Sequence, residues 1–203
     1  MMWDLWQERA KPLMPVIVIN DIEEAVPMAK ALVDGGVKLL EITLRTPHAL
    51  EAIKRIRAEV PEAILGVGTV TTPKQLDDAI EAGVEFAVSP GATDTLLKAA
   101  QQWSGAFVPG VGTPSEMMRA AEYGFTHMKL FPAMASGGKA MLNSVSGPLP
   151  QLRFCPTGGI GAETYREFLA LKNVFAVGGS WLTPQDLVSA RNWQAISRIA
   201  AAS

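Results

Sequence analysis

Residues 39–47, Leu39-Leu40-Glu41-Ile42-Thr43-Leu44-Arg45-Thr46-Pro47, decide the fold. Side chains alternate along a strand, so Leu40, Ile42 and Leu44 share one face while Glu41, Thr43 and Arg45 share the other. An aliphatic face that packs under helices leaves the polar face pointing into a barrel. Thr46 followed by Pro47 then reads as a helix cap with proline at the first helical position, where its missing N–H costs nothing. The same unit recurs along the chain. Apolar, β-rich runs at Pro15–Asn20, Leu39–Arg45, Ile64–Val70, Phe86–Pro90, Ala106–Val111, His127–Pro132, Arg153–Gly158 and Val174–Gly179 give eight expected strands. Their starts are spaced by about the length of one βα unit.

Helix signals fall between the runs. Asn20 or Asp21 can cap a helix carrying Glu23 and Glu24 in its first turn, and Thr72-Pro73 and Thr113-Pro114 repeat the cap-and-proline pattern. Glu116, three residues after Thr113, completes a capping box. Gly35, Gly83 and Gly124 stand where helices should end. The expectation is a single α/β domain over residues 1–203, a parallel (β/α)8 TIM barrel preceded by a short N-terminal helix. An open doubly wound sheet is the alternative, although no lone dinucleotide-binding turn stands out.

Composition narrows the functional classes. The chain has 203 residues, 48% hydrophobic and 19% charged, with 18 Lys+Arg against 20 Asp+Glu and a net charge of -2. That balance calls for neither nucleic acid nor an anionic membrane as partner. One cysteine, Cys155, allows no internal disulfide. No run approaches the ~20 apolar residues of a membrane span. Met1 to Met14 read as an amphipathic helix rather than a secretion leader, so a cytoplasmic protein is expected.

Barrel active sites lie at the C-terminal ends of the strands. There the second run offers Glu41 and Arg45, as acid/base and anion ligand or as a mutual structural pair. The sixth run places His127, Lys129 and Phe131 on one face. Burial disfavours the charged form of an amine, and a free amine near a carboxylate is what attack on a carbonyl requires. The bland reading pairs Lys129 with Glu41 for structure, or lets it snorkel out of the barrel mouth. Glycines at Gly66-Val67-Gly68, Gly158-Gly159 and Gly178-Gly179 allow backbone N–H groups to approach a ligand, and Ser180 adds a hydroxyl. Loops after the last two strands are the usual phosphate site of this barrel, helped by a helix N-terminus. His48 reads as surface, His127 and Cys155 as core, and Trp3, Trp6, Trp103, Trp181 and Trp193 as packing. Two histidines without i, i+4 spacing suggest no metal.

Several of these stretches together resemble a known family. Residues 40–46, 66–70, 88–91, 129–133, 154–160 and 178–181 resemble, in order and with its spacing, the 2-keto-3-deoxy-6-phosphogluconate aldolase / 4-hydroxy-2-oxoglutarate aldolase family. The resemblance implies a class I aldolase needing no metal and no cofactor beyond an imine on Lys129, with Glu41 as general acid/base. It implies that Arg45 and Thr69 hold the pyruvate carboxylate and that Pro90 and Phe131 line its pocket. Thr157 would stand beside the nascent alcohol, and Gly158, Gly159, Gly179 and Ser180 would receive a phosphate. It further implies a homotrimer acting on 2-dehydro-3-deoxy-6-phosphogluconate in the Entner–Doudoroff route, and on 4-hydroxy-2-oxoglutarate. Two rivals stay open here: a sugar-phosphate isomerase or epimerase on the same barrel, and a non-catalytic barrel that binds an anion.

Overall fold

The computed structural model describes Trp3, Trp6 and residues 8–203. Nine parallel strand segments are present: β1 (Leu13–Ile17), β2 (Leu39–Thr43), β3 (Ile64–Gly68), β4 (Phe86–Val88), β5 (Ala106–Val108), β6 (Gly110–Val111), β7 (His127–Leu130), β8 (Arg153–Phe154) and β9 (Val177–Gly179). They hydrogen-bond as a six-stranded sheet ordered β5-β4-β3-β2-β1-β9 and a three-stranded sheet ordered β6-β7-β8. The segments β5 and β6 are one barrel strand interrupted at Pro109, which has no N–H to give to a ladder. The second seam, between β8 and β9, is closed by the bridges Phe154↔Val174 and Thr157↔Gly178. The chain therefore forms the expected (β/α)8 barrel.

Helices alternate with the strands: α1 (Ala25–Asp34), α2 (Ala49–Glu59), α3 (Pro73–Ala82), α4 (Asp94–Gln101), α5 (Pro114–Glu122), α6 (Gly138–Ser146), α7 (Tyr165–Leu169), α8 (Gln185–Ser189) and α9 (Trp193–Ala202). Thr72 and Thr113 cap α3 and α5 as expected, the latter with the full Glu116 capping box. Asp21 accepts from the Glu23 N–H and caps a 3-10 turn at Ile22–Glu24. Thr46 does not cap α2. Its hydroxyl donates to the Ile19 carbonyl at 2.6 Å, and α2 begins after His48 with no side-chain cap. Nor does Gly35 end α1 in the left-handed form (φ -80°); that conformation falls on Gly36 at φ 85°. Among the described residues no helix is long and apolar enough to cross a membrane.

Alternation along the strands sorts two cores. Leu40 and Ile42 join the layer between sheet and helices, whereas Leu39 joins Met14, Ile64, Phe86, Val88, Ala106, Val108, Cys155 and Phe175 inside the barrel. Trp3 and Trp6 are helical and stopper the N-terminal end of the barrel. The Trp3 ring lies 4.9 Å from Phe175, 5.8 Å from Phe86 and 6.0 Å from His127. The expected N-terminal helix does not reach Met14, because Leu13 and Met14 already pair in β1; residues 1, 2, 4, 5 and 7 lie outside the described residues.

Most strands end earlier than the apolar runs suggest. Arg45, Thr69, Pro90, Phe131 and Thr157 all fall just beyond their strands rather than within them. Single interstrand hydrogen bonds run on past these ends, from the Phe131 N–H to Val111 and from the Thr157 N–H to Leu130.

Candidate active site

Two polar side chains reach deepest into the barrel from different sheets. Glu41 on β2 is 1% exposed and Lys129 on β7 is 5% exposed. Lys129 Nζ donates to Glu41 Oε1 at 3.1 Å and stands 3.5 Å from Oε2. So the pairing that the sequence offers between Glu41 and Arg45 is not formed; Lys129 is the partner. The strand pattern dictates this meeting. Glu41 lies opposite Val16 on one side and Gly66 on the other, while the break at Pro109 brings Gly110 into register with Lys129.

The glycines of β3 make the room. A Cβ added at Gly68 would stand 2.7 Å from Glu41 Cγ and 2.8 Å from Cδ, and one at Gly66 would overlap the Phe86 ring. These two glycines therefore serve side-chain packing, not a backbone approach to a ligand. Gly178 likewise yields space to Thr157, whose Oγ1 a Cβ there would overlap.

Above the pair lies a cavity of about 210 Å³ lined by Val16, Val18, Arg45, Phe131, Thr157, Gly158, Gly159, Ile160, Gly179 and Ser180. Seven of the predicted site residues are thus brought together. Phe131 links cavity and ion pair, its ring centroid 5.3 Å from Lys129 Nζ. Arg45 is exposed at the mouth and Thr157 is buried. Thr69 and Pro90 are not part of this lining. Thr69 sits at φ 65°, one of two non-glycine residues at positive φ among those described. Pro90 packs its backbone against Gly110, the ladder partner of Lys129.

Gly158 and Gly159 adopt φ 105° and 78°. Their N–H groups, and that of Ser180, take no partner among the described residues. Successive free N–H groups in such a turn form a concave anion seat. The helices that follow, α7 and α8, are five residues each and begin several residues later, so the loop itself, not a helix dipole, carries this feature.

Val16 and Val18 were legible but unread: they continue the inward face of β1 that Met14 begins. Thr43, on the inward face of β2, spends its hydroxyl on the Ile17 carbonyl at 2.8 Å and is structural. Cys155 lies beneath the pair, and burial pushes its thiol up to about 12, so it is no nucleophile. His127 contacts Trp3 and Phe175 at the barrel floor and is half-buried there rather than fully core. Among the described residues no group of three or more His, Cys, Asp or Glu side chains converges.

Known proteins resemble this chain over most of its length. A family profile described as KDPG and KHG aldolase matches residues 7–199. The chain is 52% identical over 189 residues to the KHG/KDPG aldolase of Escherichia coli (strain K12), covering 93% of this chain and 89% of that protein. It is 53% identical over 191 residues to the 2-dehydro-3-deoxy-phosphogluconate aldolase of Dickeya dadantii (strain 3937), covering 94% and 90%. The crystal structure of the Legionella pneumophila KDPG aldolase, with pyruvate captured at low pH as a covalent carbinolamine, superposes with a TM-score of 0.93 at 46% identity, over 96% of this chain and 94% of that one. The Zymomonas mobilis ZM4 aldolase with 3-phosphoglycerate gives 0.90 at 45% identity, over 98% and 95%. This barrel, with its buried lysine–carboxylate pair and its match over residues 7–199, belongs to the KDPG and KHG aldolase family.

Proposed function

We propose that this single barrel domain is a class I aldolase that cleaves 2-dehydro-3-deoxy-6-phosphogluconate to pyruvate and D-glyceraldehyde 3-phosphate through an imine on Lys129. Cleavage of 4-hydroxy-2-oxoglutarate to pyruvate and glyoxylate is the second activity. The observation that carries this reading is the buried 3.1 Å contact between Lys129 and Glu41 at the foot of a cavity with one cation at its mouth.

Chemistry follows from the residue types. Breaking a C–C bond two atoms from a ketone leaves electrons that need a sink. Lys129 Nζ adds to the C2 carbonyl, the carbinolamine loses water, and the resulting iminium accepts those electrons as an enamine. Glu41, within hydrogen-bond reach of the same nitrogen, takes the proton that the amine gives up, returns it to the carbinolamine hydroxyl as that leaves as water, and as a carboxylate again takes the proton of the C4 hydroxyl. The C3–C4 bond breaks, the aldehyde departs, and Glu41 returns a proton to C3. Water then hydrolyses the imine. A positioned acid/base of this kind contributes about 10²–10⁴-fold.

Arg45 grips the substrate carboxylate in a bidentate contact, and Thr69 adds a hydroxyl to it. Pro90 and Phe131 wall the pyruvate half. Thr157 faces the C4 hydroxyl. Gly158, Gly159, Gly179 and Ser180 receive the phosphoryl group through N–H and hydroxyl donors. The Zymomonas relative, solved with 3-phosphoglycerate, supports a phosphate end to this cleft. The protein works as a homotrimer in the cytoplasm. An isomerase or epimerase on this barrel has no use for an imine lysine, and membership of the aldolase family stands against it.

Borohydride reduction in the presence of pyruvate tests the reading. A stable pyruvyl mass on the peptide bearing Lys129, absent in Lys129→Ala, is expected. An adduct on another lysine, or none, refutes the mechanism.

A further inference from the structure

Beside the active-site cavity is a second one of about 290 Å³, lined by Val16, Val18, Met28, Ser180, Thr183, Pro184, Gln185 and Val188. It shares Val16, Val18 and Ser180 with the first. Its two walls are the loop after β1 and the segment from Ser180 through α8. Five helical residues are too few to be stable alone, so α8 relies on tertiary contacts for its position. Leu182 and Val188 seat it on the core, and its ends are set by Gly179 in the β9 ladder and by contacts beyond α8.

The far end is fastened by an ion pair. Arg191 Nη2 donates to Asp21 Oδ2 at 2.9 Å, across 170 residues of sequence. Asp21 lies three residues beyond the cavity residue Val18, and Arg191 three beyond Val188. The pair thus bridges the first and last βα loops at the rim. Arg191 also sits at φ 50°. An L side chain there crowds its own backbone, and glycine would relieve it. An exposed ion pair returns little net stability. A strained residue retained for a contact that does little for stability is the pattern of a residue kept for function. The other such residue, Thr69, stands beside the proposed carboxylate subsite.

We propose that Asp21–Arg191 is a clamp that holds the last βα loop against the first and so sets the grip on the phosphoryl end of the substrate. Arg191 is a positioning residue in this scheme. It touches no reacting atom, and its effect reaches the substrate through Ser180 and the wall behind it. The proposal rests on the reading of Gly158, Gly159 and Ser180 as the phosphoryl subsite.

Three variants separate the clamp from general support. Asp21→Asn removes the charge but keeps Oδ1 to accept from the Glu23 N–H, which it does at 3.0 Å. Arg191→Gly breaks the clamp while suiting the positive φ, so the fold is retained. Arg191→Lys keeps the charge. Steady-state kinetics with 2-dehydro-3-deoxy-6-phosphogluconate and with unphosphorylated 4-hydroxy-2-oxoglutarate, alongside Tm, give the readout. In Asp21→Asn and Arg191→Gly, KM for the phosphorylated substrate rises about three- to fivefold, the scale of an exposed ion pair. Its kcat and the KM of the unphosphorylated substrate stay put, and Arg191→Lys restores most of the loss. Equal changes with both substrates that track Tm, or no change with either, overturn the clamp alone. A wild-type enzyme with no preference for the phosphorylated substrate overturns the phosphoryl subsite and the clamp with it.

Discussion

Replacing Gly68 with alanine separates catalysis from stability in this barrel. The added Cβ would stand 2.7 Å from Glu41 Cγ and 2.8 Å from Cδ, and would overlap Oε1. Non-bonded carbons prefer about 3.5–4.0 Å, so the side chain must retreat by about 1 Å. Backbone is not what blocks it: the obstacle is the far end of a flexible side chain, and the fold yields there first. Overpacking of this kind costs about 1–3 kcal/mol, or a Tm drop of roughly 2–4 °C per kcal/mol in a chain of this size. The catalytic cost is larger. A retreat of about 1 Å takes the 3.1 Å Lys129–Glu41 contact out of hydrogen-bonding range, and a misplacement of that size costs about 10²-fold in rate. The assay is kcat for aldol cleavage, paired with calorimetry. Gly66→Ala is the comparison, because the nearest atoms its Cβ would meet belong to the Phe86 ring rather than to Glu41. It should lose more stability and retain near-normal turnover per folded molecule. A Gly68→Ala enzyme within about threefold of wild type would refute the reasoning that the position of this carboxylate governs the rate.

Glu41→Gln still forms the pyruvate imine, slowly, but exchanges the pyruvate methyl protons at a rate lowered by about 10²–10⁴-fold; normal exchange by NMR removes Glu41 from the acid/base role. Burial holds the Cys155 thiol at about 12 against an ordinary 9.0. The folded state therefore keeps a proton that the unfolded chain loses. The thiol's contribution to stability is whole below pH 9.0 and declines as pH climbs from there toward 12. Iodoacetamide at pH 9 should leave the native protein unmodified and label the urea-unfolded chain; equal rates would contradict the burial. The N–H groups of Gly112 and then Thr113 lower the Glu116 carboxyl below its ordinary 4.5, against the opposing effect of burial. Its stabilisation is present above pH 4.5 and lost as pH falls through the lowered value. The Tm gap between wild type and Glu116→Gln should therefore narrow on acidification, and a gap independent of pH argues against the cap.

The barrel and the inward placement of Glu41 and Lys129 were legible because both rest on short-range rules. Strands buried on two faces read as apolar runs, and period-two alternation placed Glu41 and Lys129 on inward faces without any knowledge of neighbours. What failed depends on neighbours. Thr46-Pro47 carries the local signature of a cap, but the Ile19 carbonyl, 27 residues back, claims the hydroxyl first. Gly66 and Gly68 looked like places for a ligand to approach backbone; the space they leave is taken by Phe86 and Glu41 from adjacent strands. Trp3 and Trp6 could be recognised as packing residues, yet their partners Phe86, His127 and Phe175 are scattered over the chain, so the stopper they form could not be read. The strands read longer than they are because Phe131 and Thr157, apolar or β-prone, still donate across to Val111 and Leu130 beyond the regular ladder. Residue chemistry alone does not mark where hydrogen bonding gives way to the mouth. Asp21 was read as a cap and is one, but its second oxygen belongs to a partner 170 positions away.

The interruption at Pro109 has a mechanical consequence. Six strand segments form one hydrogen-bonded sheet and three another, joined at a proline on one flank and by isolated bridges on the other. Glu41 rides on the larger sheet and Lys129 on the smaller. The gap between nitrogen and carboxylate therefore depends on how the two sheets are seated against each other. Tempering this enzyme for heat or cold is accordingly a matter of stiffening or easing two joints in the wall, with every residue that touches substrate left as it is.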